Sequence, residues 1–379
     1  MSNGAVATRV SANPEALTVE WIDGGASEFL SIWLSDNRPD HRDSYSGQRL
    51  VDILDLPPEP RIHSAVLSAD SVRIQWEGES RATDFALSWL ARHAPGERDG
   101  RAPELATRLW LEGGSLEAAK DFAWSTVTGF RENPATRLTW LTALLKDGIA
   151  FLRDLPCDEA ALLNAVAPIG QVLETNYGRV FDVRSVPQPE NLAYSDLGLG
   201  LHTDNPYREP VPGFQALHAI VTSLEGGESL FADGFAMAEH LRVTEPEAFR
   251  VLTRTAVPFS YRSKDAELYA ERPLIQLSCD GAVAAVHYNS RSIAPLRLGA
   301  RDLPAFYASY RLFAGLLRNP RFQLKLRLAD GDLVVFDNRR ILHGRTAFSA
   351  AKSLRHLRGC YLTRDSVYSE TALLRRSLS

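Results

Sequence analysis

The sequence predicts a mostly β protein with flanking helices, a β-sandwich or barrel behind a small β-rich N-terminal module. Three observations carry this. Between about residues 177 and 365, apolar runs of strand length recur: ALHAIVTSL, LIQLS, AVAAVHYN, FQLKLRL, DLVVFDN and RHLRGCYLT. One clear helical pattern interrupts them, at 302–318 (DLPAFYASYRLFAGLLR). The first hundred residues hold only short alternating runs separated by turn signals.

Taken in order, 16–21 (ALTVEW) alternates, 28–34 (EFLSIWL) is apolar and aromatic, and 72–76 (VRIQW) alternates again before the polar turn EGES. These read as strands of a small antiparallel module. Residues 91–105 (ARHAPGERDGRAPEL) are rich in Pro, Gly and charge and read as a linker. The predicted division is 1–95 and 105–379. Helical spacing follows at 115–125, 134–147 and 158–175, with Asp158 as an N-cap.

Length and composition narrow the function. The 379 residues suit two domains, and 45% hydrophobic with 23% charged residues is ordinary globular composition. A net charge of -5 gives no sign of nucleic-acid or anionic-membrane partners. Cys157, Cys279 and Cys360 are too far apart in sequence for a CxxC motif, which points to a reducing compartment. The N-terminus has no apolar signal segment, and no stretch reaches the roughly 18 apolar residues of a membrane span. The expected location is the cytoplasm.

The chemistry gathers at two histidine motifs. One is His202-Thr203-Asp204 in GLHTDNPYREP; the other is His343 in VVFDNRRILHGR. On a strand, residues i and i+2 share a face, so His202 and Asp204 can aim at one metal. Two imidazoles and a carboxylate fill one face of an octahedron and leave three positions open, the ligand set of non-haem Fe(II) oxygenases. Arg355 follows His343 by twelve residues, where a guanidinium on the next strand can grip a carboxylate bidentately. His63, His93, His240 and His356 read as surface or framework residues, and His218 and His287 as packed in apolar strands.

These residues and their surroundings resemble the γ-butyrobetaine and trimethyllysine hydroxylases, within the taurine-dioxygenase-like Fe(II)/2-oxoglutarate dioxygenases. Nearly the whole chain takes part: FLSIWLSDNRP, NYGRVFDV, NLAYSDLGLGLHTDNPYREPVPGFQALHAI, GGESLFADGF, GDLVVFDNRRILHGRTAF and LRHLRGCYL. The resemblance implies a double-stranded β-helix (jelly-roll) catalytic domain. It implies Fe(II) on His202, Asp204 and His343, with O2 and 2-oxoglutarate as co-substrates and ascorbate as a helpful reductant. The far carboxylate of 2-oxoglutarate would meet Arg355, with Ser229 beside it. Oxidative decarboxylation would then yield succinate and CO2 and hydroxylate a substrate carbon.

The same resemblance implies a small quaternary ammonium substrate. A trimethylammonium group has no N–H to donate, so aromatic faces must hold it. The matching positions are Tyr177, Phe181, Tyr194 and Tyr361; relatives carry Trp at the position of Phe181. Asn191 and Asn289 match asparagines that hold the substrate's carboxylate. Arg179, Arg184 and Arg291 flank these segments, and any that faced the pocket would suit a phosphonate head, as in the 2-(trimethylammonio)ethylphosphonate dioxygenase branch. Relatives of the γ-butyrobetaine type hold a structural zinc on three cysteines and a histidine. Arg38, Asp40 and Asp43 occupy the cysteine positions here, so no structural zinc is expected. The family suggests a homodimer. Two other classes stay open: a betaine-binding sensor that has kept the fold, and a different divalent-metal enzyme on a jelly roll.

Overall fold

The computed structural model describes residues 6–94, 106–110, 122–184, 198–222, 226–347 and 355–378. The chain divides into two compact units, Met1–Pro103 and Glu104–Ser379.

The first unit is two antiparallel three-stranded meanders, each followed by one short helix. β1 (Ala7–Ala12), β2 (Ala16–Trp21) and β3 (Ala26–Leu30) lead into α1 (Ser31–Asp36). β4 (Ile62–Leu67), β5 (Ser71–Trp76) and β6 (Ala82–Ala86) lead into α2 (Leu87–Arg92). Alternation puts Leu17, Val19, Val72, Ile74, Trp76 and Phe85 into one core, while Thr18 and Arg73 point away. The strand expected over 28–34 ends at Leu30, and the chain turns into α1. A short apolar run suits either element, and packing decides. As a helix it buries Leu34 and sets Trp33 5.6 Å from Phe29 and 5.3 Å from Trp89, centroid to centroid.

The segment after α1 is held by an arginine. Arg38 is buried and forks onto Asp40 at 2.9 and 3.2 Å and onto both Glu79 oxygens at 2.8 Å. Its guanidinium lies 5.5 Å from the centre of the Trp76 ring. Asp43 closes a turn by accepting from the Tyr45 and Ser46 amides.

The second unit opens with β7 (Trp124–Thr126), α3 (Val127–Glu132), α4 (Pro134–Asp147), β8 (Ile149–Arg153), α5 (Ala161–Val166), β9 (Val172–Leu173) and β10 (Phe181–Arg184). Next come β11 (Leu199–His202), β12 (Phe214–Val221), β13 (Ser229–Asp233), α6 (Gly234–Thr244) and α7 (Pro246–Arg254). Two hairpins follow, β14 (Val257–Arg262) with β15 (Glu267–Arg272) and β16 (Ile275–Leu277) with β17 (Val283–Val286). α8 (Leu303–Arg318), β18 (Gln323–Leu326), β19 (Leu333–Asp337), β20 (Ile341–Arg345), β21 (His356–Leu362) and α9 (Arg364–Leu378) complete it.

Its two main sheets run β10-β21-β12-β19-β8-β7, with β9 beside β21, and β11-β20-β13-β18. Apart from the parallel pair β7–β8, every pairing in them is antiparallel. One core joins Phe151, Leu217, Val334 and Phe336 of the larger sheet to Phe231, Leu324 and Leu326 of the smaller, so the sheets pack face to face. The larger sheet's other face, with Phe214, Ala216, Val335 and Leu362, packs on Trp140 and Leu144 of α4 and Leu374 of α9. The unit is mostly sheet with flanking helices. Among the described residues, no helix is long and apolar enough to cross a membrane.

Several predicted elements differ. α4 has the predicted bounds, with Asn133 capping it and Gly148 ending it at φ 78. The helix expected over 158–175 is only Ala161–Val166; Gly170 packs against Val367 and Ser366 of α9, and the chain then pairs as β9. Part of the helix expected over 115–125 lies outside the described residues, and its end is strand β7. Besides α8, helices α6 and α7 interrupt the strand-rich region.

Candidate active site

β11 and β20 pair antiparallel, with His202 directly opposite His343. Cross-strand partners on one face stand close, and the two imidazole centroids are 4.4 Å apart. Past His202 the chain leaves the sheet, and Asp204 bends back beneath both rings. Its Oδ1 is 3.2 Å from His202 Nε2 and its Oδ2 is 3.8 Å from His343 Nε2. That bend is held from both sides. Asn338, fully buried in the β19–β20 turn, accepts from the Asp204 amide at 2.7 Å and donates to its carbonyl at 3.0 Å. Thr203 donates its amide to the Tyr288 carbonyl at 2.7 Å. Asn205 adopts φ 53, a left-handed conformation that asparagine tolerates.

The donor set fits a metal ion. One ligand atom from each of His202, Asp204 and His343 lies within 4.8 Å of the others. His202 Nδ1 donates to the Gly200 carbonyl at 2.9 Å, which leaves Nε2 as the free lone pair. Burial, reinforced by His202, pushes His343 down to about 3, so its ring is neutral. Burial raises Asp204, but the imidazoles and the Tyr361 hydroxyl outweigh it and hold its carboxyl well below the usual range. Neutral imidazole and ionised carboxylate are the ligating forms.

The triad lies in a cleft that opens to solvent. At one end stand Ser229, Arg345 and Arg355, all nearly buried. Burial and the neighbouring Arg345 lower Arg355 to about 10, still cationic at neutral pH. Register explains the grouping, since Ser229 on β13 is the cross-strand partner of Arg345 on β20. Arg345 did not stand out in the sequence, although it follows His343 at i+2 and therefore shares its face.

Tyr177, Phe181 and Tyr361 form an aromatic wall in the same cleft, with Phe181 and Tyr361 5.0 Å apart between centroids. Tyr361 donates its hydroxyl to Asp204 Oδ2 at 2.8 Å. Behind Tyr177 stand two tyrosines that sequence reasoning missed: Tyr207 stacks on Tyr261 at 5.2 Å and donates to Asn205 Oδ1 at 2.7 Å. Tyr194 and Asn191 lie outside the described residues. Asn289 is not in the cleft wall. Its amide donates to the Thr203 carbonyl at 3.2 Å and its Oδ1 accepts from the Arg291 amide at 3.2 Å, so it braces the HxD turn. Of the three flanking arginines, Arg291 lines the cleft near Asp204, Tyr207 and Tyr177, whereas Arg179 and Arg184 are exposed outside it.

Comparison with known proteins decides the family. Residues 117–361 match the model described as "Taurine catabolism dioxygenase TauD, TfdA family". The chain belongs to that family. It is 34% identical over 368 residues to "Gamma-butyrobetaine dioxygenase" of Pseudomonas sp. (strain AK-1), covering 95% of this chain and 94% of the relative. It is 30% identical over 365 residues to "Dioxygenase str8" of Strobilurus tenacellus, covering 90% and 84%. A crystal structure of a putative alpha-ketoglutarate-dependent taurine dioxygenase from Burkholderia xenovorans superposes with TM-score 0.50 at 16% identity. That match spans 64% of this chain and 89% of the other and bears on the fold alone. This TauD/TfdA-family chain is thus an Fe(II)- and 2-oxoglutarate-dependent dioxygenase, with a His202-Asp204-His343 cluster suited to iron.

Proposed function

We propose that this dioxygenase hydroxylates a C–H of a small trimethylammonium zwitterion, either 2-(trimethylammonio)ethylphosphonate or γ-butyrobetaine, with release of succinate and CO2. The observation that carries this is the aromatic wall of Tyr177, Phe181 and Tyr361 in the same cleft as the triad. Ring faces attract a quaternary cation that can donate no hydrogen bond, by about 0.5–2 kcal/mol per contact. The relative's name, gamma-butyrobetaine dioxygenase, agrees with such a substrate.

His202, Asp204 and His343 would hold Fe(II), and Arg355 with Ser229 would take the far carboxylate of 2-oxoglutarate. When bound, iron and 2-oxoglutarate supply, with dioxygen, the oxidising power that inserts oxygen into a C–H bond. The rest is positioning by the chain. Tyr177, Phe181 and Tyr361, with Tyr194 by resemblance, seat the trimethylammonium end. Arg291 supplies a cation for the anionic head, alongside Asn191 by resemblance, while Asn289 acts behind the wall by bracing the HxD turn. A guanidinium in the cleft gains more from a phosphonate than from a carboxylate, which favours the phosphonate substrate.

The domain reading belongs to the same proposal. Residues 105–379 form a jelly-roll catalytic domain, which the two face-packed sheets support. Residues 1–95 form a small β-rich domain held without zinc by its own core and by the Arg38 ion pairs.

The test is succinate formation with Fe(II), 2-oxoglutarate and ascorbate in air. γ-Butyrobetaine, trimethyllysine and 2-(trimethylammonio)ethylphosphonate are compared, with products identified by mass. One of the two proposed zwitterions should gain a single oxygen atom, and a neutral tert-butyl analogue should bind more weakly. Turnover of neither zwitterion, or equal binding of the neutral analogue, would sink the cage assignment. Metal analysis of the same protein should find iron without stoichiometric zinc.

A further inference from the structure

Gln215 is a buried amide whose Oε1 has no hydrogen-bond partner among the described residues. It lies on β12 in the cleft wall, only 2% exposed. Among the described residues its side chain makes no hydrogen bond at either end. Leaving a buried polar group unpaired costs about 1–3 kcal/mol, and an apolar side chain of the same shape would cost nothing there. An unpaired amide aimed into a binding cleft therefore marks a ligand contact.

Sheet register identifies which end of the cleft it serves. Gln215 pairs with Phe336 on β19 and with Tyr361 on β21. Phe336 packs 4.9 Å from His343 between ring centroids, and Tyr361 bonds Asp204. Gln215 thus stands in the row that faces the His-Asp-His cluster. Arg355 and Ser229 stand at the other end, with Leu217 and Leu357 on the wall between. 2-Oxoglutarate carries an anion at each end, a carboxylate at one and a 2-oxo acid at the other. The guanidinium end suits the simple carboxylate, and the cluster end has no cation on the β12 wall.

We propose that Gln215 donates its amide N–H to the 1-carboxylate of 2-oxoglutarate, holding the keto-acid end as Arg355 holds the other. The inference rests on the assignment of this cleft to 2-oxoglutarate. Nε2 is the donor an acceptor-only carboxylate needs, and the amide's orientation can turn to present it.

The test compares wild type with Gln215→Met, nearly isosteric but unable to donate, and Gln215→Glu, which sets like charge against the ligand. Binding of 2-oxoglutarate to the Mn(II)-loaded protein is measured calorimetrically without dioxygen. Gln215→Met should weaken it about tenfold and Gln215→Glu more, as expected for loss of a hydrogen bond to a charged group. The KM for the trimethylammonium substrate at saturating 2-oxoglutarate should not change. The metal-free Gln215→Met protein should melt no lower than wild type, since it loses an unpaired amide. A merely structural glutamine would instead lower the melting temperature and weaken both ligands together, which overturns the proposal. Wild-type affinity in Gln215→Met also overturns it. If the Mn(II)-loaded wild type takes up no 2-oxoglutarate, the cleft assignment itself falls, and this inference with it.

Discussion

The Tyr361 hydroxyl donates to Asp204 Oδ2 over 2.8 Å while its ring stands in the cleft wall beside Phe181. One side chain thus serves both ends of the chemistry. Its ring belongs to the surface that would seat the substrate cation, and its oxygen fixes the carboxylate between the two imidazoles. Burial and the adjacent Asp204 raise the phenol well above its usual value, so it is a permanent donor.

Tyr361→Phe separates the two roles. The ring remains and the hydrogen bond goes, so affinity for the trimethylammonium group should stay near wild type. Metal affinity should fall about tenfold, the lower end for losing a partner of a metal ligand. Titration of the metal-free protein with Co(II) reads this directly. Unchanged Co(II) affinity would mean that Asp204 is held without Tyr361.

Gly344 lies between His343 and Arg345 on β20, where β11 passes close. A Cβ there would sit 2.4 Å from the Leu199 carbonyl oxygen and 3.1 Å from the Leu201 nitrogen. Backbone cannot yield as a side-chain tip can. Gly344→Ala should push β11 from β20, part His202 from His343, and cost about 1–3 kcal/mol of stability. Metal content after reconstitution should fall well below one ion per chain. A variant that loads and melts like wild type would mean the strands can shift without consequence.

The sequence made the local pieces legible and hid the non-local ones. β2, β5, α4 and α8 follow from side-chain period alone, because each buries one regular face. α6 and α7 are short, follow directly on one another and sit among strands, so their periods are brief. The His202-Asp204 pair and His343 are readable because the motif carries its own geometry. Gln215, Arg345 and the support of Asn338 depend on which strand neighbours which, and no window of sequence states that. The aromatic positions came from resemblance, and the hydroxyl contact of Tyr361 from sheet register.

Arg38 ties its segment together through ion pairs to Asp40 and Glu79, and breaking one side should be felt. Glu79 takes two hydrogen bonds at 2.8 Å from a guanidinium whose side chain is only 7% exposed. Glu79→Gln keeps the shape but removes the charge, and should cost about 1 kcal/mol, because the Glu79 side chain is 36% exposed and solvent screens the pair. Differential scanning calorimetry should show an earlier transition for the N-terminal unit, with metal binding at His202 unaffected. No change in melting would mean that Asp40 alone satisfies Arg38.

His287 should make the protein acid-labile for a reason unrelated to metal. It is 1% exposed, its Nε2 faces Gln276 Oε1 at 3.0 Å, and its Nδ1 has no partner. Burial, with Arg272 and Arg339 nearby, pushes it down to about 3 from its ordinary 6.5. Above pH 6.5 the ring is neutral folded or unfolded, and its contribution is fully present. As pH falls from 6.5 toward 3, the unfolded chain binds a proton that the folded chain refuses. Stability then drops by up to about 1.4 kcal/mol per pH unit, or about 2 kcal/mol between pH 7 and pH 5. Gln at this position keeps a donor toward Gln276 and cannot titrate. Urea unfolding of chelator-treated protein at pH 7 and pH 5 should therefore show a loss smaller by about 2 kcal/mol in His287→Gln than in wild type. The groups common to both proteins cancel in the difference. Equal losses would mean that the folded protein admits a proton to His287, and that the ring is not locked neutral in its pocket.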